Sequence, residues 1–358
     1  MDYIANREAQ CEQFFNDFIT TERKILCVGT LGFSDLCLHF PLSLARFPNV
    51  DFLFLVEDRP EVSEILKQIA ARNRQELESK LAGRNLRFEA VQIVADDTAN
   101  VAGRRAAKLC LSSFRGGYSD VFVDSSSMSR GVCFPIVKQA YELSQIHGTP
   151  AAHVVIAGRT KPTVSARSTS SDAPQYVHGF HADMGTDSSD NAIKLWIPQL
   201  SEGAEVSLSR IHGVLKPQES SPILPFPACD PRRGDALMRE FQNALLGDWD
   251  VNLRDVLYAH ETDPTDVCES ITRIHKSRAT AFSASTERPA RTVLSPSGSR
   301  IGSVGMLLAA LRLNLPIMYE ESIGYTSAQS FVPALPTNPP DQLWHLWLLP
   351  KPKVTHAT

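Results

Sequence analysis

Residues 24–60 read KILCVGTLGFSDLCLHFPLSLARFPNVDFLFLVEDRP, and this stretch decides the predicted fold class. Two continuous apolar runs, ILCV and FLFLV, stand on either side of a segment whose apolar residues recur at helical spacing. Short continuous apolar runs are typical of strands that are buried on both faces, as they are in a parallel sheet. The stretch is therefore predicted to form a strand, a helix and a second strand of one α/β layer.

The same alternation continues along the chain on both sides of a polar break. Before the break, DVFVD and AAHVVIAG are predicted strands with helical segments between them. After it, SPILPFP, DVLYAHE, ARTVLSP and LPIMYEE are predicted strands, and EVSLSRIHGV is predicted as an extra strand. The predicted fold is α/β, with two tandem Rossmann-like units that are each a doubly wound parallel sheet.

The predicted boundaries follow from shifts in composition. One segment is rich in Ser, Thr, Asp and Gly, which is typical of a linker or mobile loop, and the end of the chain is rich in Pro. The predicted organisation is an N-terminal helix in 1–23, a Rossmann-like unit in 24–158, the linker in 159–191, a second Rossmann-like unit in 192–325 and a Pro-rich segment in 326–358.

Composition restricts the classes of function. The chain has 358 residues, of which 43% are hydrophobic and 21% charged, as in ordinary globular proteins. Its net charge of −4 disfavours general nucleic-acid binding, which needs a basic surface. Because no apolar run is long enough to cross a bilayer and no signal-peptide pattern opens the chain, a cytoplasmic protein without membrane binding is predicted.

Several catalytic and metal-binding patterns do not occur in the sequence. The seven Cys residues are scattered and show no Cys/His ligand spacing, so neither a metal site nor a disulfide framework is predicted. The patterns GxxxxGK[ST], GxGxxG, GxSxG and HExxH are also missing. The cofactor is therefore left unassigned, and no particular reaction is favoured.

Two short patterns recur in the two predicted units. The segments SMSR (127–130) and SGSR (297–300) each stand between an apolar run and a predicted helix. Glu57 and Glu261 each follow a predicted strand in the pattern Glu-x-x-Pro. Because both patterns recur in the same order, they predict an internal duplication of one α/β unit.

The predicted ligand site lies beyond the carboxyl ends of the strands, where the strand order of a parallel sheet reverses. A helix N-terminus there offers N–H groups and partial positive charge to an anion, Ser adds hydrogen bonds, and Arg adds a bidentate clamp. The two Glu residues are predicted to accept hydrogen bonds from sugar hydroxyls. The predicted ligand-binding residues are Gly29, Thr30, Glu57, Asp124, Ser127, Ser129, Arg130, Arg232, Arg233, Glu261, Ser297, Gly298, Ser299 and Arg300.

Simpler roles compete with these assignments. Ser residues commonly cap helices, and acidic residues are favoured in a first helical turn. Arg130 and Arg300 are alternatively predicted to pair with the two Glu residues. His260, directly before Glu261 at the end of a predicted strand, is the candidate acid or base if the protein is an enzyme.

The segment SPSGSRIGSVGMLLAAL (295–311) resembles the ligand loop of CRISPR-associated Rossmann-fold (CARF-like) sensor domains. Those domains carry a small Gly/Ser/Thr-Lys turn that opens the last helix, whereas here Arg300 stands in place of Lys and Gly298 in place of two Gly. The first-half segment DSSSMSRGVCFPIVK also resembles bacterial proteins of phage-defence neighbourhoods. The resemblance implies recognition of a nucleotide or cyclic oligonucleotide by a dimer in antiviral defence.

Three hypotheses for the function follow. The first is binding or sensing of a nucleotide-like phosphorylated ligand in a cleft between the two halves. The second is a nucleotide or phosphoester hydrolase or transferase that uses the same cleft. The third is a non-catalytic subunit of a multiprotein complex that docks through the linker and the Pro-rich tail.

Overall fold

The computed structural model describes residues 1–95, 100–171, 173–181, 192–282 and 290–351. The helices and strands up to residue 170 are β1 Asp2–Arg7, α1 Ala9–Phe18, β2 Ile25–Leu31, α2 Leu36–Leu44, β3 Val50–Asp58, β4 Glu61–Val62, α3 Glu64–Lys80, β5 Leu86–Gln92, α4 Ala102–Phe114, β6 Asp120–Asp124, α5 Arg130–His147, β7 Ala151–Gly158 and β8 Arg167–Ser170. Those that follow are β9 Gln175–Tyr176, β10 Ile193–Pro198, α6 Glu205–Leu215, β11 Glu219–Ser220, β12 Ile223–Pro225, α7 Arg233–Glu240, α8 Gln242–Leu246, β13 Leu257–Ala259, α9 Pro264–Phe282, β14 Ala290–Ser295, α10 Arg300–Leu313, β15 Met318–Tyr319, β16 Ser322–Thr326 and β17 Gln342–Leu349.

Contacts divide the chain into two compact units. Unit 1 comprises Met1–Thr169 and Ile323–Thr358, and unit 2 comprises Ser170–Ser322. The segment predicted as a linker contributes β8 and β9, while its residues 172 and 182–191 lie outside the described residues. The segment predicted as a Pro-rich tail returns to unit 1, where it supplies β17, and its residues 352–358 lie outside the described residues.

Unit 1 is built on a seven-stranded sheet in the order β1-β17-β7-β6-β2-β3-β5. The strands β5, β3, β2, β6 and β7 are parallel, and β17 and β1 continue the sheet in antiparallel pairing. The chain runs from β2 outward to β3 and β5 and then returns to β6 and β7 on the other side. Unit 1 therefore has the predicted doubly wound α/β fold, and its strand order reverses between β2 and β6.

The apolar runs of the sequence explain why these strands are central. All seven residues of β2 and all five of β6 are buried. One face of the sheet packs Phe52 and Phe54 of β3 against Phe15 of α1 and Phe40 of α2 in a single hydrophobic cluster. Burial of such aromatic and aliphatic surface is the main favourable contribution to folding.

The first residues of the chain form a strand rather than the start of a helix. β1 pairs with β17 from Asp2 opposite Leu349 to Arg7 opposite Trp344. The helix predicted for residues 1–23 is therefore wrong for β1 and right only for α1. The strand depends on pairing with residues from the other end of the chain, which a local sequence pattern does not contain.

Unit 2 arranges its parallel strands in the same order as unit 1. β10 pairs in parallel with β11 and β14, and β12 pairs in parallel with β13. Parallel bridges from Gln199 to Ile223 and from Leu294 to Ile317 extend this arrangement on the two sides. The resulting order is β13-β12-β10-β14-β15, with the reversal between β10 and β14. A common origin of the two units stays a prediction.

One prediction for unit 2 is wrong, and one of its strands was not predicted. The segment EVSLSRIHGV is helix α6, and the strand that opens the unit is β10, IKLWIP, which was not predicted. α6 buries Leu208, Ile211 and Leu215, which lie three and four residues apart on one helical face.

In the described parts of the chain, no helix combines the length and the apolar character that crossing a bilayer requires.

A chain of buried hydrogen bonds crosses four neighbouring strands of unit 1. Nε2 of His153 lies 3.2 Å from Oδ1 of Asp120, and Nδ1 of His153 lies 2.9 Å from Nε2 of His345. Nδ1 of His345 in turn lies 3.0 Å from the side-chain nitrogen of Asn6. When Asn6 donates to His345, each imidazole accepts at Nδ1 and donates from Nε2, so both histidines are satisfied in the neutral form.

Burial determines the protonation states of the side chains in this hydrogen-bonded network. It lowers the pKa of His153, and it lowers the pKa of His345 well below the usual value of 6.5, with His153 nearby adding to the shift. Burial alone would raise the pKa of Asp120, but hydrogen bonds from His153 and Ser119 hold it below its usual value. The folded state therefore favours two neutral imidazoles beside one charged carboxylate.

We expect the free energy of unfolding to fall as the pH drops below about 6.5, the value at which an exposed His begins to bind protons. Below this pH, His153 and His345 bind protons in the unfolded state but stay neutral in the folded state. Acid therefore favours unfolding. The depressed pKa of Asp120 acts in the same direction at lower pH. His345→Gln is expected to make this pH dependence shallower, and the exposed control His147→Gln is not. Urea titrations over a pH series measure the slopes, and equal slopes in the two variants would contradict the expectation.

Candidate functional site

Each unit brings its Ser-x-Ser-Arg segment to the carboxyl end of its fourth parallel strand. Ser129 is the N-cap residue of α5 and Ser299 that of α10, so the helices begin at Arg130 and Arg300 as predicted. In each unit the strand before the segment pairs in parallel with the first strand of that unit. Both segments therefore lie beside the reversal of strand order, where α/β sheets bind their ligands.

The two predicted Glu residues do not occupy equivalent positions. Glu57 lies in β3, the second parallel strand of unit 1, whereas Glu261 follows β13, the third of unit 2. Pro264 is the first residue of α9, but Pro60 lies ahead of β4. Only the Ser-x-Ser-Arg pattern therefore recurs at topologically matching places.

In unit 1 a carboxylate of the chain itself lies at the N-terminus of α5. Oε1 of Glu57 accepts a hydrogen bond from the N–H of Ser129 at 2.8 Å, and Oε2 pairs with Arg59 at 2.5 Å. The two side chains are 10% and 3% exposed, and the Arg59 guanidinium also lies over the ring of Tyr325. The position predicted for a ligand anion thus holds a buried ion pair, which favours a structural role for Glu57.

The other predicted residues of unit 1 connect its first and fourth strands. Asp124 is 2% exposed and accepts hydrogen bonds from the N–H and the hydroxyl of Ser126. The hydroxyl of Ser127 donates to the carbonyl of Thr30 at 3.3 Å. Gly29 packs closely against the ring of Phe54, and the buried Thr30 hydroxyl has no hydrogen-bond partner among the described residues.

In unit 2 four loops meet at the carboxyl edge of the sheet and line a small pocket. Gln199 follows β10, Arg233 opens α7, Glu261 follows β13 and Ser299 precedes α10. The volume of the cavity is about 10 Å³, close to the smallest that holds one water molecule. A larger molecule would bind over this edge or displace its side chains.

Gln199 lies against the start of α10 and was not predicted from the sequence. It is 7% exposed, and no described residue donates a hydrogen bond to its buried Oε1. A Cβ at Gly298 or at Gly302 would collide with its side chain, so these two glycines make room for it. A buried amide oxygen without a donor is destabilising, and a ligand that supplied a donor would remove that cost. Gln199 was missed because β10 was not predicted.

Glu261 fixes the loop between β12 and α7. Its Oε2 accepts a hydrogen bond from the N–H of Cys229 at 2.7 Å, and its Oε1 pairs with Arg233 at 2.8 Å. The N–H of Glu261 donates to the carbonyl of Pro227 at 3.0 Å. The Arg233 side chain remains 31% exposed, so its guanidinium is held in place with surface left for an anion.

Ser299 connects the start of α10 with the loop that follows β13. Its hydroxyl accepts a hydrogen bond from the N–H of Gly302 and donates to the carbonyl of Glu261, each at 3.0 Å. The hydroxyl of Ser201 donates to the carbonyl of Ser297 at 2.6 Å, which holds the other side of the turn. The turn is therefore rigid, with the helix N-terminus directly behind it.

Of the two remaining candidate residues, His260 lines this pocket and Arg232 does not. Arg232 is exposed, its N–H donates to Asp230, and its side chain does not line the pocket. His260 lines the pocket, and its Nδ1 accepts a hydrogen bond from the N–H of Thr262 at 3.2 Å. A neutral His260 therefore carries its proton on Nε2.

Most of the thiols lie in the interior of the protein. Six of the seven are buried, and only Cys229 is exposed. Burial raises the pKa of Cys11, Cys37 and Cys110 to about 12, so these thiols stay protonated. Among the described residues, no three His, Cys, Asp or Glu side chains form a group that could hold a metal ion.

Gly302→Ala is expected to destabilise the protein by about 1–3 kcal/mol, because its Cβ would press into the Gln199 side chain. The control Gly213→Ala lies in α6 with no atom within 4 Å of the added Cβ. This control is expected to gain about 0.5–1 kcal/mol from better helix formation. Urea denaturation compares the two, and a gain in both would show that Gln199 does not pack against α10.

Neither a protein-family model nor a curated protein sequence matches the chain. A search of solved structures finds a putative universal stress protein from Pseudomonas aeruginosa UCBPP-PA14. The sequence identity is 11% and the TM-score 0.23, over 84% of this chain and 94% of that chain. A likeness at this level carries no information about function, and the α/β fold class follows from the strand order of the two units.

Proposed function

We propose that unit 2 binds a nucleotide-like phosphorylated small molecule at the carboxyl edge of its sheet. The observation that carries this proposal is the side chain of Gln199. Its amide oxygen is buried without a described donor, and it lies against the N-terminus of a long helix at the reversal of strand order. Buried polar groups are nearly always hydrogen-bonded, so an orphan at this position indicates a ligand group.

The surrounding groups suit a ligand with two chemical parts. The partial positive charge at the start of α10 and the guanidinium of Arg233 favour an anion, and phosphate is an anion that helix N-termini and arginines commonly bind. The Oε1 of Gln199 instead accepts a hydrogen bond, which a deprotonated phosphate oxygen does not supply. A sugar hydroxyl or a base amino group supplies it, and a nucleotide contains both the acceptor-rich phosphate and these donors.

The proposal assigns different roles to the two Ser-x-Ser-Arg segments. In unit 1, the Glu57 carboxylate already accepts the hydrogen bond from the N–H of Ser129 at the N-terminus of α5 and thus occupies the position of an anion. In unit 2, Glu261 directs its carboxylate at Arg233 and at the N–H of Cys229. Glu261 therefore positions the anion-binding arginine, and Gln199 takes the role of hydroxyl acceptor.

Calorimetric titration with nucleoside phosphates, dinucleotides and cyclic oligonucleotides tests the proposal. The resemblance to CARF-like sensors is the reason to include cyclic oligonucleotides. At least one compound is expected to bind, and Arg233→Gln is expected to weaken its binding about tenfold or more, the effect of a lost charged hydrogen bond. The adjacent control Arg232→Gln is expected to leave binding unchanged.

Two results would overturn the proposal. One is the absence of binding by every compound in the panel, and the other is an equal loss of affinity in Arg232→Gln and Arg233→Gln. The same samples, examined after incubation, show whether a bound compound is hydrolysed. Turnover that is lost in a His260→Gln variant would identify an enzyme at this site, and binding without turnover would identify a sensor.

A further inference from the structure

Two large aromatic side chains stand exposed at the edge of the sheet of unit 2. The side chain of Phe226 is 66% exposed and that of Tyr258 is 57% exposed. Their ring centroids lie 6.1 Å apart, with an angle of 78° between the ring planes. Exposed aromatic rings that contact each other are a candidate binding surface, because contiguous apolar surface on a protein is often functional.

The aromatic pair adjoins the pocket through the backbone. Phe226 directly follows Pro225, Tyr258 directly precedes Ala259, and Pro225 and Ala259 are register partners that both line the pocket. The N–H of Phe226 donates to the carbonyl of Ala259 at 2.8 Å, which fixes the two rings relative to each other. Phe226 therefore begins the segment that leads from β12 to Arg233, and Tyr258 lies in β13, three residues before Glu261.

We propose that Phe226 and Tyr258 form a stacking platform for a planar heteroaromatic ring, such as a nucleobase, of the molecule that binds in unit 2. This inference rests on the proposed function and adds the chemical class of the part of the ligand beyond its phosphate. In an edge-to-face pair, ring faces remain uncovered, and both rings here expose more than half of their side chains. A base stacks on such a face whatever its hydrogen-bonding pattern.

The charge of the neighbourhood favours a nucleotide as the occupant. The segment that Phe226 begins leads to Arg233, the first residue of α7, so the platform and the guanidinium proposed to hold the phosphate belong to one stretch of the chain. Two side chains also cover far less area than a stable protein interface needs. Aromatic faces that stack bases and positive charge that contacts phosphates are combined in proteins that bind single-stranded nucleic acid, and the same two interactions suit a nucleotide.

Calorimetry with AMP, GMP, CMP and UMP against ribose 5-phosphate tests the inference, because these probes differ only in the base. At least one nucleoside monophosphate is expected to bind the wild-type protein about tenfold tighter than ribose 5-phosphate. Phe226→Ala and Tyr258→Ala are expected to remove this difference and to leave ribose 5-phosphate binding unchanged. The control Leu253→Ala, at a side chain that is 79% exposed in the same unit, is expected to change neither.

Three results would overturn the inference in different ways. If ribose 5-phosphate binds as tightly as the nucleotides and depends on Arg233, the platform fails and the proposed function stands. If none of these probes binds and no compound of the wider panel binds either, both the platform and the proposed function are wrong. If the two platform variants instead lower the mass of the protein in sedimentation velocity, a second copy of the chain covers the aromatic pair.

Discussion

Asp120→Ala is expected to lower the free energy of unfolding by about 2–3 kcal/mol, as the loss of a charged acceptor of buried hydrogen bonds does. The Asp120 carboxylate is fully buried and accepts hydrogen bonds from Arg23 at 2.9 and 3.1 Å, from Ser119 at 2.6 Å and from His153 at 3.2 Å. Without it, the buried His153 loses its acceptor, and the chain of hydrogen bonds that leads to His345 and Asn6 loses its charged end.

The matched control for this variant is Asp17→Ala. Asp17 lies exposed in α1 of the same unit, so its replacement is expected to change the free energy of unfolding by less than about 0.5 kcal/mol. Urea denaturation of the full chain, followed by circular dichroism, measures both variants. A loss below about 1 kcal/mol in Asp120→Ala would mean that the buried network contributes little to the stability of unit 1.

Glu57→Ala is expected to cost about 3 kcal/mol and to leave ligand binding unchanged. It removes the carboxylate from the Arg59 guanidinium, whose side chain is 3% exposed, and it removes the acceptor of the Ser129 N–H at the start of α5. Because the proposed ligand site lies in unit 2, the affinity for a bound nucleotide is not expected to change. Thermal unfolding and calorimetric titration of the same variant separate the two effects.

The control for Glu57→Ala is Glu64→Ala. Glu64 also stands at a helix start in unit 1, but its side chain is 75% exposed in a 3.8 Å contact with Lys67. Such surface pairs contribute little, so this variant is expected to cost less than about 1 kcal/mol. The opposite pattern for Glu57, in which stability is kept and nucleotide affinity falls, would restore the predicted role as an acceptor of sugar hydroxyls.

Much of the fold could be predicted because the central strands have a clear local sequence pattern. β2 and β3 of unit 1 are continuous apolar runs. A strand that is buried on both faces has apolar residues at consecutive positions, rather than alternating with polar ones, so it is easy to recognise. The starts of α5 and α10 could be predicted because Ser residues precede the helices at Arg130 and Arg300. These signals lie within a few residues of the structure they specify.

The features that were missed depend on residues that are distant in sequence. β1 is a strand only because β17 pairs with it, and His153 and His345 meet from 192 positions apart. Gln199 is a site residue because Gly298 and Gly302, roughly a hundred positions later, leave room for its side chain. No local pattern contains such information, since tertiary contacts decide it.

The ion pair of Glu57 with Arg59 was missed for a different reason. Arg59 is only two positions away and directly follows the last residue of β3, so a local ion pair between Glu57 and Arg59 could be anticipated from the sequence. Sequence analysis instead placed Glu57 after the strand, where a helix dipole or a ligand would be its partner. The error of a few residues in a strand end thus changed the predicted chemistry of the side chain.

Hydrogen–deuterium exchange of the full chain, with and without a saturating concentration of the tightest-binding nucleotide, decides whether unit 2 holds the ligand site. The expected result is slower exchange at the start of α10 and in residues 227–233, where Arg233 and the Glu261-bound loop lie, with unchanged exchange at the start of α5. Slower exchange confined to the start of α5, or no change at either helix, would contradict the assignment of the site to Gln199, Arg233 and Ser299.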